Sequence, residues 1–192
     1  MSHGKASRVI AAVLQRLRHR DEGIAAVEFA FTLPVLIALC LGGFEVSSYA
    51  MLNIKLQHAA NAMAELATMD EQLPATTLDG MFAAVTQIVA PFPFGNRGTA
   101  IVTGVGATAA GAPPVVNWQR VGAGTLTAIS TVGAPGGAAT VPNDLPVTPL
   151  DSLVVAEVVY DYRPVLLGFL SATTLRKIAY YRPRFGTLPS LS

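Results

Sequence analysis

From Ile24 to Phe44 apolar residues follow one another with a single ionisable interruption, Glu28. The run is about 21 residues long, and as a helix it reaches roughly 32 Å, close to the thickness of a bilayer's hydrocarbon. Residues 46–69 change character: Leu52, Leu56, Ala59, Met63 and Leu66 recur in steps of four and three among polar neighbours, the stripe of a helix packed along one face. The two segments read as one helix that crosses a membrane and continues beyond it, with Pro74 as its stop. A second helix is predicted from Leu78 to Val89, capped by Thr76 or Thr77, with Met81, Phe82, Val85 and Val89 inward. PFPFGNRG at 91–98 then breaks the chain.

Beyond this point the period falls to two. Residues 99–105, 115–121, 153–163 and 174–184 are predicted strands. In the third of these, Val154, Ala156, Val158, Tyr160 and Tyr162 occupy one face, and Glu157, Asp161 and Arg163 the other. The long helix supplies the cover that one face of such a sheet needs. The predicted class is therefore α+β, pilin-like in outline, with a small and mainly antiparallel sheet. Its divisions are a basic leader (1–23), a membrane helix (24–44) and an outer domain (45–192). The outer domain begins with the helix extension (45–73) and contains a Gly/Ala/Pro-rich stretch (122–149), read as a long exposed loop. The apolar run 165–170 suits either a core or a membrane surface.

Composition sharpens the picture only in part. Of the 192 residues 52% are hydrophobic and 13% charged, and the net charge is +1, which excludes a protein held to nucleic acid by phosphate neutralisation. The placement of charge is more telling. Lys5, Arg8, Arg16, Arg18 and Arg20 precede the apolar run, whereas Lys55 is the next basic residue and Arg97 the one after. That bias predicts a cytoplasmic N-terminus and an extracytoplasmic bulk. Residues 9–18 read either as a short basic amphipathic helix on anionic headgroups or as a frayed leader. Cys40 is the single cysteine, so no intrachain disulfide and no thiolate zinc site can form. Its setting is a poor lipoprotein signal, because Leu39 stands where a small residue is wanted.

Glu28 is the anomaly. A carboxylate in mid-bilayer costs about 2.5–3.5 kcal/mol on insertion scales and less near an edge. Either it lies shallow enough to reach headgroups, or a cation meets it. Cleavage after Gly23 would make Ile24 a new N-terminus carrying an ammonium, and Glu28 the fifth residue of the mature chain. In a filament a neighbouring subunit's terminal amine could then sit beside that carboxylate, each satisfying the other. Pro34 removes one hydrogen bond inside the span and predicts a kink there.

Gly23, Glu28 and Phe29 match the prepilin pattern of a glycine, four residues, then glutamate and an aromatic. The wider run EGIAAVEFAFTLPVLIALCLGGFEVSSY resembles the TadE-like proteins of tight-adherence (Flp-type) pili, with YxYRP and YYRPRFG as weaker echoes nearer the C-terminus. The resemblance implies a small single-span protein of the bacterial inner membrane, acting as a minor pilin or pseudopilin or as a pilus-assembly factor. It implies processing between Gly23 and Ile24, with Glu28 as the acid used in assembly and Phe29 as the motif aromatic. The implied partners are membrane lipid, other pilins and pilus-assembly proteins, and a prepilin peptidase if the leader is cut. No cofactor, nucleic acid or small-molecule substrate is expected.

An enzyme finds little support. There is no G-x-S-x-G, no H-E-x-x-H and no paired metal-ligand spacing. GTGVGATAAG lacks the spacing of a dinucleotide loop, and Pro113–Pro114 replace the helix such a loop requires. Asp161 and Glu157 read as surface partners of Arg163, Arg182 and Arg184 as a solvated or partner-facing rim, and His58 as part of a polar helix face. The alternative function is a single-span, membrane-tethered extracytoplasmic binding module unrelated to pili.

Overall fold

The computed structural model describes residues 21–69, 72–107, 109, 112–142, 145, 147, 152–164, 171–184 and 190–191, of which 21, 22, 190 and 191 are described by backbone alone. The basic leader up to residue 20 and the apolar run 165–170 lie outside the described residues. The chain divides between Phe44 and Glu45 into two compact units. A single 46-residue helix, α1 (Asp21–Leu66), contributes to both and is helical through Pro34.

In the first unit α1 has no core. Ile24, Phe29, Phe31, Val35, Leu39 and Phe44 are all exposed, Phe31 by 77%. This is the one helix among the described residues long and apolar enough to cross a membrane.

The second unit is an α+β domain built on a four-stranded antiparallel sheet. Its strands are β2 (Gly98–Gly106), β3 (Val115–Gly122), β4 (Ser152–Tyr162) and β5 (Thr173–Tyr181), in the order β3-β2-β4-β5. A two-residue parallel pair, β1 (Gln72–Leu73) with β6 (Ser190–Leu191), was not expected from sequence. The later half of α1 lays Leu52, Leu56, Ala59 and Met63 on one sheet face, together with Leu78, Phe82, Val85 and Val89 of α2 (Ala75–Val89). They meet Ala100 and Val102 of β2 and Val154, Ala156 and Val158 of β4. The face predicted from alternation in β4 is thus the helix-covered one.

Several boundaries differ from expectation for local reasons. α1 stops at Leu66, well short of Pro74 and of residue 73. Thr68 ends it: both its amide and its Oγ1 donate to the carbonyl of Glu65 (3.0 and 2.8 Å), drawing the chain into a turn. Leu66, placed in the buried stripe by its spacing, is 39% exposed because it is the last helical residue. α2 begins at Ala75 rather than Leu78, and neither Thr76 nor Thr77 caps it. Pro74 occupies the cap position with φ −58° and ψ 148°, and its carbonyl accepts from the amides of Thr77 and Leu78. Proline's fixed φ suits this place at a helix start. β5 ends at Tyr181 instead of 184, ahead of Pro183, which lacks an amide donor for the ladder.

The larger correction concerns the other sheet face, expected to be polar. All nine residues of β2 are buried, and of β4 only Asp161 is not. The cover comes from the stretch read as an exposed loop. Val132 is buried there against Val105, Val116, Leu153 and Val155, with Ala139, Val141 and Val147 packed alongside. Its low hydropathic contrast hides this role, since Gly, Ala and Thr carry little periodic signal and one well-placed valine does much of the covering.

The glycine run at 104–106 has a structural explanation. Gly104 lies opposite Trp118 in the β2–β3 register, and a Cβ there would come within 2.4 Å of the indole ring. Gly104→Val is therefore expected to push Trp118 from its seat and cost about 1–3 kcal/mol. Because Trp118 is the single tryptophan, its emission and a denaturant midpoint report on the change directly; a variant with unaltered emission and midpoint would show that the ring does not rest on Gly104.

Candidate functional site

Three glutamates in apolar surroundings have three different environments, and the differences define the site. Glu28 is on α1, in the first unit, exposed on all sides to whatever surrounds the helix. Its carbonyl accepts a hydrogen bond from Thr32 Oγ1 one turn later (2.8 Å). Its carboxylate meets no donor among the described residues.

The residues grouped with Glu28 in the sequence occupy the same helix. Ile24 is 62% and Phe29 61% exposed, so neither serves a core within the chain. Gly23 is helical, and a Cβ built on it would meet nothing within 4 Å. Glycine inside a helix costs about 1 kcal/mol relative to alanine. Among the described residues no close approach accounts for it.

Glu45 is the second acid. It is 2% exposed, and Tyr162 Oη donates to its Oε1 at 2.7 Å. Tyr49, one turn along α1, meets the Tyr162 ring edge-on, with centroids 5.0 Å apart and planes at 68°. The three residues fasten the part of α1 that belongs to the second unit to the end of β4.

Glu157 is the third, and the expected surface pairing with Arg163 is corrected. Asp161 takes Arg163, at 2.8 Å. Glu157 is fully buried on the second sheet face, where Arg176 of β5 donates to Oε1 at 2.6 Å. Thr131 donates to the same oxygen through its amide (3.0 Å) and its Oγ1 (2.7 Å), while Ser130 Oγ donates to Oε2. An acid within the uninterrupted run LVVAEVVY was the available signal, because a buried β-strand tolerates a carboxylate only when it is paired.

Among the described residues no three His, Cys, Asp or Glu side chains gather as a metal would require, and His58 is exposed. A groove beside Pro114, Val141, Pro142 and Leu145 has no ionisable lining among the described residues. Arg184, expected at a rim, is exposed and lies 3.7 Å from Glu65.

Against this geometry, residues 23–65 match the family model described as TadE-like protein. The chain is TadE-like over that segment, as its resemblance implied, and the match spans the apolar helix, Glu28, Glu45 and the packed stripe while stopping before the sheet. It connects the chain to pilus-related function and to other pilus components, in a family that is not one of enzymes. No curated protein and no solved structure matches the chain.

The Tyr162–Glu45 contact sets a pH dependence. Burial first, and then the hydrogen bond and charge of Glu45, push the Tyr162 phenol up from 10.0 to about 12. A folded-state value above the unfolded one means that this group's stabilisation is complete below pH 10 and is lost as pH rises through about 12. Ultraviolet titration is expected to find a tyrosine that ionises late and disappears from the curve in Tyr162→Phe. That variant leaves Glu45 without this donor and is expected to lose about 1–3 kcal/mol in denaturant unfolding; unchanged stability and titration would place the phenol in water.

Proposed function

We propose that the protein is a non-enzymatic, membrane-anchored minor pilin or pilus-assembly protein of the tight-adherence type. Residues 24–44 hold it in the inner membrane with the basic leader in the cytoplasm and residues 45–192 outside. The observation that carries this reading is Glu28: a carboxylate with no partner among the described residues, on an exposed stretch of apolar helix inside the segment that matches the family. Lateral packing of α1 against other subunits buries that helix, and a cation from a neighbour meets Glu28 as it does so. The cation is the terminal amine of Ile24 in a processed copy. Gly23 supports this, because a prepilin peptidase reading the residue before the scissile bond explains a helical glycine for which the chain's own packing gives no reason. Pro34 gives the span a kink whose freed carbonyl is satisfied by neighbouring helices.

Glu28→Ala is expected to leave membrane insertion intact or slightly improved and to reduce piliation by at least an order of magnitude. Immunoblotting of membrane and sheared-pilus fractions separates the two effects, and equal piliation would leave the acid without an assembly role. Intact-mass measurement of the protein purified from piliated cells is expected to give a chain beginning at Ile24. A chain beginning at Met1 or Ser2 would defeat processing and leave a retained scaffold that never exits the membrane.

A further inference from the structure

The segment that covers the second sheet face is tied down differently along its length. At its start the amides of Thr125 and Leu126 donate to the carbonyls of Gly95 and Gly98 (2.9 and 3.1 Å). At its far end Gly136 and Gly137 exchange backbone hydrogen bonds with Val116 (2.8 and 2.9 Å), and Ala139 donates to Pro114 (2.7 Å). Between these anchors two neutral bonds mark the distal hinge, Gln119 Nε2 donating to the carbonyl of Gly133 (3.1 Å) and the Thr140 amide to that of Val132 (2.7 Å), and the rest of the attachment passes through charge. Glu157 accepts from Ser130 and Thr131, and Arg176, already paired with Glu157, also donates to the carbonyl of Ile129 at 2.9 Å. Ser130 Oγ in turn accepts from the amide of Val132 (3.1 Å). Ile129 itself is 86% exposed, so the apolar hold of this stretch rests on Val132, which is 1% exposed. Gly133 follows with φ +136°, in the region open to glycine, and a Cβ there would press on the carbonyl of Ala138 at 2.7 Å.

We infer that residues 127–132 form a charge-clasped flap, opening between Leu126 and Gly133 while the helix-covered core stays folded. The closed state satisfies the buried Glu157 carboxylate with donors from the flap and from β5. The open state gives water to the carboxylate and to the apolar face around Val105, Val116 and Leu153. Two features separate this opening from global unfolding. Every bond of the clasp has a side chain at one end, so releasing it breaks no ladder bond of β2, β4 or β5. The residues it uncovers form a cluster distinct from the one that joins α1 to the sheet. Replacing a buried ion pair by apolar contact is often neutral or stabilising, so a clasp of this kind suits a segment that must close in one register and still release.

Hydrogen exchange with mass spectrometry on the full chain in detergent micelles tests the inference. In Arg176→Met, peptides covering 127–132 are expected to exchange about tenfold or more faster, with peptides of 52–66 and 98–106 unchanged within about twofold. Acceleration shared by helix, sheet and flap, or none in the flap, overturns the proposal. The unmodified protein provides the same decision if the variant does not fold. In rising low denaturant its flap peptides are expected to exchange through an opening insensitive to denaturant, while α1 peptides open only with the global transition; a single transition for both overturns the flap.

Discussion

From Ile24 to Phe44 the side chains of α1 that would form the core of a water-soluble protein face outward. Ten large apolar residues in that stretch are substantially exposed. At about 1.5–3 kcal/mol each for full burial, their removal from water is worth roughly 15–30 kcal/mol. One carboxylate at the bilayer centre opposes this with about 2.5–3.5 kcal/mol. The balance decides the matter: the helix seeks an apolar environment whether or not Glu28 is present. The acid therefore does not govern insertion, and its consequences lie in what the inserted helix meets next.

The second unit shows how this chain treats acids elsewhere. Glu45 receives the Tyr162 hydroxyl, and Glu157 receives Arg176, Ser130 and Thr131. Both are buried, both are satisfied within the chain, and both join elements distant in sequence. Glu28 departs from that practice. Its helix offers Thr32 only to its carbonyl, and the carboxylate meets no donor among the described residues.

Much of this was legible in the residues. The steps of four and three from Leu52 to Met63 place that helix on the sheet, and the alternation from Val154 to Tyr162 identifies the covered face. The family resemblance rests on Gly23, Glu28 and Phe29, and the matching segment contains all three. What escaped was tertiary. Residues 122–149 carry neither period, so their cover of the second sheet face follows from Val132 and the Glu157 clasp rather than from local pattern. Glu157 was read as a surface charge because a single strand does not reveal what packs over it. Helix ends were displaced by Thr68 and Pro74, single residues whose hydrogen bonding outweighs periodicity.

The central claim is that another pilus subunit's helix, and not lipid alone, surrounds Glu28 in the assembled state. Site-specific photocrosslinking in piliated cells addresses it most directly, with a photoreactive residue in place of Phe29, beside the acid and without altering it. The account predicts crosslinks from that position to a pilin or to a second copy of this protein, lost when Glu28 is also replaced by alanine. Crosslinks to lipid alone, unchanged by Glu28→Ala, would contradict it.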